Sequence, residues 1–272
     1  MPLRLTLRQK STIPLEVEGI TPEVVRDKSI VEVERLKIYS GNRHLPLGEF
    51  FHVTGYAADE VMEWEGELAS VHWLGAKMKS GRMQVLGSVG RHLGSEMRGG
   101  EIHVAGDASD WVGGEMRGGL IHVRGRAGDC VGAAYRGSAR GMTRGTILIE
   151  GDAGAEIGHT LRRGVIAVGG KAGQLAGYNM LAGTLLLFGG CGIRPGAGMK
   201  RGTIALLGDQ QPPLLPSFRR ACRFEPDALK LIAGHLKSLG FAAPLERLLE
   251  PCDLYNGDFL AGGRGEILLR GR

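Results

Sequence analysis

The sequence has no run of apolar residues approaching the ~20 needed to cross a bilayer, and its start, Met1-Pro2-Leu3-Arg4, lacks the apolar core of a secretory signal. Both absences lead to the expectation of a cytoplasmic protein without membrane contact. Cysteine is scarce. Cys130, Cys191, Cys222 and Cys252 stand far apart with no Cys-x-x-Cys pair, which excludes the usual zinc, dithiol and iron–sulfur motifs and reads as buried thiols. Aromatic residues make up only 6% of the 272 positions and no basic run occurs, so the formal charge of +5 fits an acidic ligand or partner at least as well as nucleic acid.

What is abundant is glycine, with 46 residues against a usual share nearer 7%. The glycines are periodic. A unit of the form Gly-x-apolar-x-apolar-x-Gly begins at Gly81, Gly100, Gly119, Gly145, Gly164, Gly183 and Gly202, at spacings of 19, 19, 26, 19, 19 and 19 residues, with a weaker copy from Met62. Two places after each start lie Met83, Ile102, Ile121, Ile147, Ile166, Leu185 and Ile204; four places after lie Val85, Val104, Val123, Ile149, Val168, Leu187 and Leu206. Alternation of this kind buries every second side chain of a strand. The glycine six places on marks a corner that excludes either a side chain or a negative φ. Small residues (Val89, Ala108, Ala127, Ala153, Ala172, Cys191), an aliphatic column (Leu93, Val112, Val131, Ile157, Ala176) and a methionine column (Met78, Met97, Met116, Met142, Leu161, Met180, Met199) complete the unit.

A 19-residue period is short for a strand–helix horseshoe unit and lacks the leucine–asparagine signature of leucine-rich repeats. The pattern predicts an all-β fold: a right-handed parallel β-helix of about seven to eight 19-residue turns, its hand set by the usual hand of parallel crossovers. Three segments follow. Residues 1–61 are a small β-rich N-terminal cap, 62–208 the repeats, and 209–272 a C-terminal cap with one helix. In the first, Leu3-Arg4-Leu5-Thr6-Leu7 and Ile30-Val31-Glu32-Val33-Glu34 alternate like strands, while Thr21-Pro22 opens a helical turn. In the third, Leu229, Ile232, Leu236 and Leu239 are spaced as on a helix that ends before Gly240; Gly265 to Leu269 reads as a strand after the repeat has stopped at Gly208. The 26-residue spacing is one turn carrying seven extra residues, placed at Ala133 to Ala139, where the methionine column keeps its register and a loop leaves one corner.

The residues assign no catalytic, cofactor-binding or metal site. Gly164 to Lys171 is one residue too long for a Walker A loop and is followed by Ala172, and Gly190-Cys191-Gly192 lies inside the repeat. His103 and His122 fall on equivalent places of adjacent turns, facing outward, without a repeating third ligand. Asp110 with Glu115, and Glu156 with His159, are spaced like acid–base pairs but read as corner charges. An independent β-helix hydrolase would need an acidic cluster on one face, and none is found. One column does carry information. Two places before each start stand Lys79, Arg98, Arg117, Thr143, Arg162, Leu181 and Lys200, a broken basic ridge that suits a polyanion or an acidic neighbouring protein if its side chains face one way, and that reads equally as a solvated edge kept soluble by charge. Arg136, in the inserted loop, joins it as a candidate contact.

Laid out in these columns, the repeat resembles the Gly-rich β-helix at the C-terminus of the glutamate synthase large subunit. It is still more similar to the C subunit of formylmethanofuran dehydrogenase and of the related bacterial formyltransferase/hydrolase complex. The residues that carry this are Val71-His72-Trp73-Leu74-Gly75-Ala76-Lys77-Met78, the turns from Gly81 to Gly208, the insertion Tyr135-Arg136-Gly137-Ser138-Ala139-Arg140-Gly141-Met142 and the tail Tyr255-Asn256-Gly257-Asp258. The resemblance implies a non-catalytic scaffold in a hetero-oligomer whose sister subunits are amidohydrolase-like, molybdopterin-oxidoreductase-like and, in bacteria, a formyltransferase. The complex would move a formyl group from tetrahydromethanopterin to a methanofuran-type carrier and release formate. Both compounds belong to the complex, with no cofactor in this chain, and the carrier's polyglutamate tail would suit the ridge. The alternative is a glutamate-synthase-like module linking ammonia-producing and synthase subunits.

Overall fold

The computed structural model describes residues 1–271. It is built mostly of strands with few helices, and one mixed sheet of 13 strands dominates. From one edge the strands run Phe51–Thr54, Leu3–Leu7, Val61–Glu65, Arg82–Val85, Glu101–Val104, Leu120–Val123, Thr146–Ile149, Val165–Val168, Thr184–Leu187, Arg201–Leu206, Arg264–Arg270, Cys252–Gly257 and Arg219–Phe224. Neighbours are parallel from Leu3–Leu7 through Arg264–Arg270, and antiparallel pairs finish both edges. A second sheet of four short strands, Arg43–Pro46, Lys37–Ser40, Leu15–Glu16 and Val71–His72, stands beside the first repeats.

The apolar columns are the rungs of this sheet. Met62, Met83, Ile102, Ile121, Ile147, Ile166, Leu185, Ile204 and Ile267 pair in one unbroken register, and each is fully buried. A second line of parallel bridges joins Leu68, Val89, Ala108, Ala127, Ala153, Ala172 and Cys191, the column of small residues. Between the two lines lie the buried aliphatic and methionine columns. Each repeat buries one face of its neighbours, and an inward aliphatic side chain contributes roughly 1.5–3 kcal/mol. The corner glycines six places into each unit are held by close approach: a Cβ at Gly151 would stand 2.8 Å from the Gly125 carbonyl oxygen. Of the two reasons expected for glycine there, exclusion of a side chain is the one that operates, because this column does not take positive φ.

Several local expectations are corrected. Ile30–Glu34 is a helix, because Ser29 and Glu32 form a capping box: the Glu32 carboxylate accepts the Ser29 N–H at 2.8 Å, and the Ser29 hydroxyl accepts the Glu32 N–H at 3.4 Å. The repeat does not stop at Gly208. Gly265-Glu266-Ile267-Leu268-Leu269-Arg270-Gly271 is another copy of the unit and pairs in register with Arg201–Leu206. The helix expected near Leu229 spans Asp227–Ser238, but it packs across the outer face of the large sheet. There Leu229, Ala233, Leu236 and Phe241 cover Leu120, Leu148, Ala167, Leu186 and Ala205. This explains why all four residues of Leu120–Val123 and of Thr146–Ile149 are buried where alternation predicts two. Among the described residues, no helix is long and apolar enough to cross a membrane.

Candidate functional site

The inserted loop leaves and rejoins the array between two residues hydrogen-bonded to each other, with the Met142 N–H donating to the Gly132 carbonyl at 2.8 Å. In the preceding unit the equivalent bond joins Met116 to Gly113, so the seven extra residues fit between without disturbing the rungs. Ala133 and Ala134 are buried, while Arg136 to Arg140 are exposed. The anchor is Tyr135. Its ring stacks on Trp111 with centroids 4.7 Å apart, and its hydroxyl lies 2.6 Å from Ser95 Oγ and 2.9 Å from His92 Nδ1. Trp73, His92 and Trp111 form a column of their own, eleven places into successive units, each at positive φ. Trp73 and His92 stack at 4.1 Å. Burial, then the neighbouring His72 and Arg91, holds His92 down at about 4, so the ring is neutral near pH 7; burial pushes the Tyr135 hydroxyl up to about 12. Sequence reading missed this anchor, although the column places the two tryptophans and His92 together.

The groups read as corner charges carry structure. Asp110 Oδ1 accepts the Asp129 N–H at 3.0 Å and its Oδ2 lies 3.3 Å from Arg91; Glu115 accepts the Tyr135 N–H at 3.2 Å. Asp107, Asp129 and Asp152 likewise accept N–H groups from the next turn at 2.7 Å, which satisfies corner donors that the ladders leave free. Glu156 and His159 approach to 3.5 Å. His103 and His122 do pair in register on the outer face, with rings 6.0 Å apart, but His122 is buried there rather than solvated. Phe241 packs over it, Glu150 binds its Nε2 at 2.9 Å, and burial lowers its pKa. Arg124 shares the same Glu150 oxygen. Among the described residues, no three His, Cys, Asp or Glu side chains stand together to hold a metal. Of the four thiols only Cys252 is buried. Cys130 and Cys191 are half-buried, and Cys222 is exposed because its strand forms a sheet edge. Burial pushes Cys130 and Cys252 up to about 11 and Cys191 to about 12, out of the reactive range.

The basic column keeps its register. The N–H groups of Arg98, Arg117, Arg162 and Lys200 donate to the methionine carbonyls of the turn before, at 2.7–2.9 Å. Its side chains do not act alike. Arg117 is paired with Glu96 at 3.1 Å and lines a cavity of about 520 Å³ under the inserted loop, with Glu115 and Arg140. Lys79 and Arg98 are exposed, and Arg136 lies on the exposed arc of the loop and lines neither cavity. Arg162 and Lys200 do come together. They line a groove of about 360 Å³ with Arg201 and Arg264, which sequence reading missed because they stand one residue later in the unit.

No family model matches the chain. Over 82 residues, 30% of this chain, it is 42% identical to the C subunit of the molybdenum-containing formylmethanofuran dehydrogenase 1 of Methanothermobacter thermautotrophicus. Over 93 residues it is 37% identical to the C subunit of the tungsten-containing formylmethanofuran dehydrogenase 2 of Methanothermobacter marburgensis. The chain matches 20% of the length of the first relative and 34% of the second. A chain in the crystal structure of the formyltransferase/hydrolase complex (FhcABCD) from Methylorubrum extorquens, solved with methylofuran, is similar along its whole length. It is 31% identical with a TM-score of 0.90, over 99% of this chain and 100% of that one. Because that likeness takes in the flanking elements as well as the repeats, the chain belongs to the C-subunit family of formylmethanofuran dehydrogenase and of the formyltransferase/hydrolase complex.

Proposed function

We propose that this chain is the scaffold subunit, without an active site of its own, of a formyltransferase/hydrolase complex that passes a formyl group from tetrahydromethanopterin to a methanofuran-type carrier and releases formate. The observation that carries this reading is the end-to-end likeness to a chain of the Methylorubrum extorquens complex. The structural duties of Asp107, Asp110, Glu115, Asp129 and Asp152 support it, since each carboxylate is spent on a backbone N–H. The chemistry then lies in amidohydrolase-like, molybdopterin-oxidoreductase-like and formyltransferase partners, and the carrier and pterin bind there. The stacked units at 62–208 read as a right-handed parallel β-helix of seven to eight turns, to which the copy at 265–271 adds a last rung, with segment 1–61 before it and the helix of 209–272 lying over it. The unbroken parallel register and the second line of bridges favour that winding. Purification of the tagged chain from its native host tests the assignment. Recovery with an amidohydrolase-like subunit and formyl-transfer activity is expected; recovery with a glutamine amidotransferase instead overturns it. The ridge is tested in the same preparation: Arg98→Glu with Arg117→Glu is expected to weaken assembly or polyanion binding, and unchanged values remove the ridge from the reading.

A further inference from the structure

Four basic residues gather at the last rungs of the array. Arg201 and Arg264 are direct partners in the parallel ladder, about one strand spacing of 4.8 Å apart. Lys200 and Arg162 complete the same groove, which Leu181 also lines. None of its lining residues is acidic, and among the described residues none of the four cations forms an ion pair. Like charges directly opposite one another destabilise a sheet, and at this spacing they lie well inside the ~8 Å screening length of physiological salt. An occupant bearing carboxylates removes that cost.

The wall of the groove adds a second observation. Ala261 and Gly262 form it, at the end of the turn Phe259–Ala261, in which Leu260 is 90% exposed and Phe259 51%. The turn is held in place. The Asp258 carboxylate, itself buried, accepts the Leu260 N–H at 2.9 Å through one oxygen and the Gly198 N–H at 3.0 Å through the other. The Arg219 guanidinium sits 5.5 Å from the centre of the Phe259 ring. A fixed turn presenting a leucine to water beside four uncompensated cations has the make-up of a protein interface: an apolar anchor with a charged rim. A small anion would use the cations and leave the leucine idle. A nucleic acid would want stacking faces, and the one aromatic ring here is already engaged by Arg219.

From this juxtaposition we infer that the Arg162, Lys200, Arg201 and Arg264 groove, with the Leu260 turn, docks an acidic segment of a sister subunit that places an apolar side chain against Leu260. The inference rests on the scaffold reading above and names the surface that reading leaves unspecified. The residues to be changed, Arg201, Leu260 and Arg264, are exposed, so the array folds without them.

The test uses the complex purified through a tag on this chain in its native host, washed at rising salt. Wild type is expected to retain its partners at about 0.15 M salt. Arg201→Glu with Arg264→Glu, and separately Leu260→Asp, are expected to weaken retention of one partner by about tenfold or more, with unchanged circular dichroism. A photo-crosslinking residue placed at position 260 is expected to join a stretch rich in Asp and Glu in that same partner. Retention at wild-type salt by both variants overturns the inference, as does a crosslink to another copy of this chain or to nucleic acid. It is also overturned if the double variant loses binding of hexaglutamate peptide while keeping every partner, for the groove is then a small-polyanion site. A wild-type chain that recovers no sister subunit overturns the scaffold reading itself, and the two failures are thereby told apart.

Discussion

Two glycines at equivalent places separate backbone strain from steric exclusion. Gly119 and Gly183 both open a unit and take positive φ, +92° and +99°. A Cβ at Gly119 would lie 2.7 Å from the Gly100 carbonyl oxygen and 2.7 Å from Met97 Cε. That carbonyl cannot yield, because it accepts the Leu120 N–H at 3.0 Å in the ladder. At Gly183 the methionine column holds Leu161 instead, and the closest atoms are Leu161 Cδ2 and Cγ at 3.1 Å and the Gly164 oxygen at 3.2 Å. Alanine at either place carries about 1–2 kcal/mol of left-handed strain. Gly119→Ala adds an overpacking cost of about 1–3 kcal/mol, which Gly183→Ala largely avoids. Denaturant titration followed by circular dichroism should therefore show Gly119→Ala less stable by about 2 kcal/mol, or about 4–8 °C in Tm for a chain of this size. Adding Met97→Leu to Gly119→Ala should recover only a minor part, since the carbonyl is the firmer obstacle. Equal losses for the two glycines would refute the steric argument and leave strain as the sole cause.

Other perturbations follow from single contacts. Ile121→Asp places a charge in a fully buried rung and should cost several kcal/mol, read as loss of cooperative unfolding over the neighbouring units. Tyr135→Phe takes the partner from the buried Ser95 hydroxyl and should cost about 1–3 kcal/mol while speeding tryptic cleavage at Arg136 and Arg140, with Trp111 stacking retained. His92 is held at about 4 by burial, so the unfolded chain binds its proton first as pH falls; stability is full above about 6.5 and is lost on the way down to 4. Solvent screening of this half-exposed ring limits the loss to about 1–2 kcal/mol, and His92→Asn should flatten that part of a Tm-against-pH curve.

The rungs were legible in the sequence because their cause is local. Each column recurs at a fixed interval, and the inward residues Ile102, Ile121 and Ile147 need only their own strand and the next to be buried. Three features were not legible, for reasons of distance. His122 and Leu148 alternate as outward residues and are buried only because a helix about a hundred residues later lies over them. The unit at Gly265 repeats the pattern faithfully, but it is parted from Gly202 by a helix and two strands, so its spacing breaks the 19-residue count. Arg264 was lost with it, and so was the groove, which exists only where that strand is laid beside Arg201. The helix at Ile30–Glu34 hides for a local reason, since its residues alternate like a strand and only the capping box of Ser29 and Glu32 decides the helix.

The two ends of the array are closed at different moments of synthesis. The Val61–Glu65 edge is covered by Leu3–Leu7, already made when that edge emerges, with Arg4 reaching Glu63 across 59 positions. The Arg201–Leu206 edge has no such cover until Arg264–Arg270 arrives, as the Thr203 to Glu266 bond across 63 positions shows. At about 5–20 residues per second a nascent chain therefore carries an open, template-like strand for roughly 3–13 s. During that interval Arg264 is missing from the groove, so the face inferred to receive a partner is built by the same event that shuts the array, and premature assembly on an unfinished chain is disfavoured by construction.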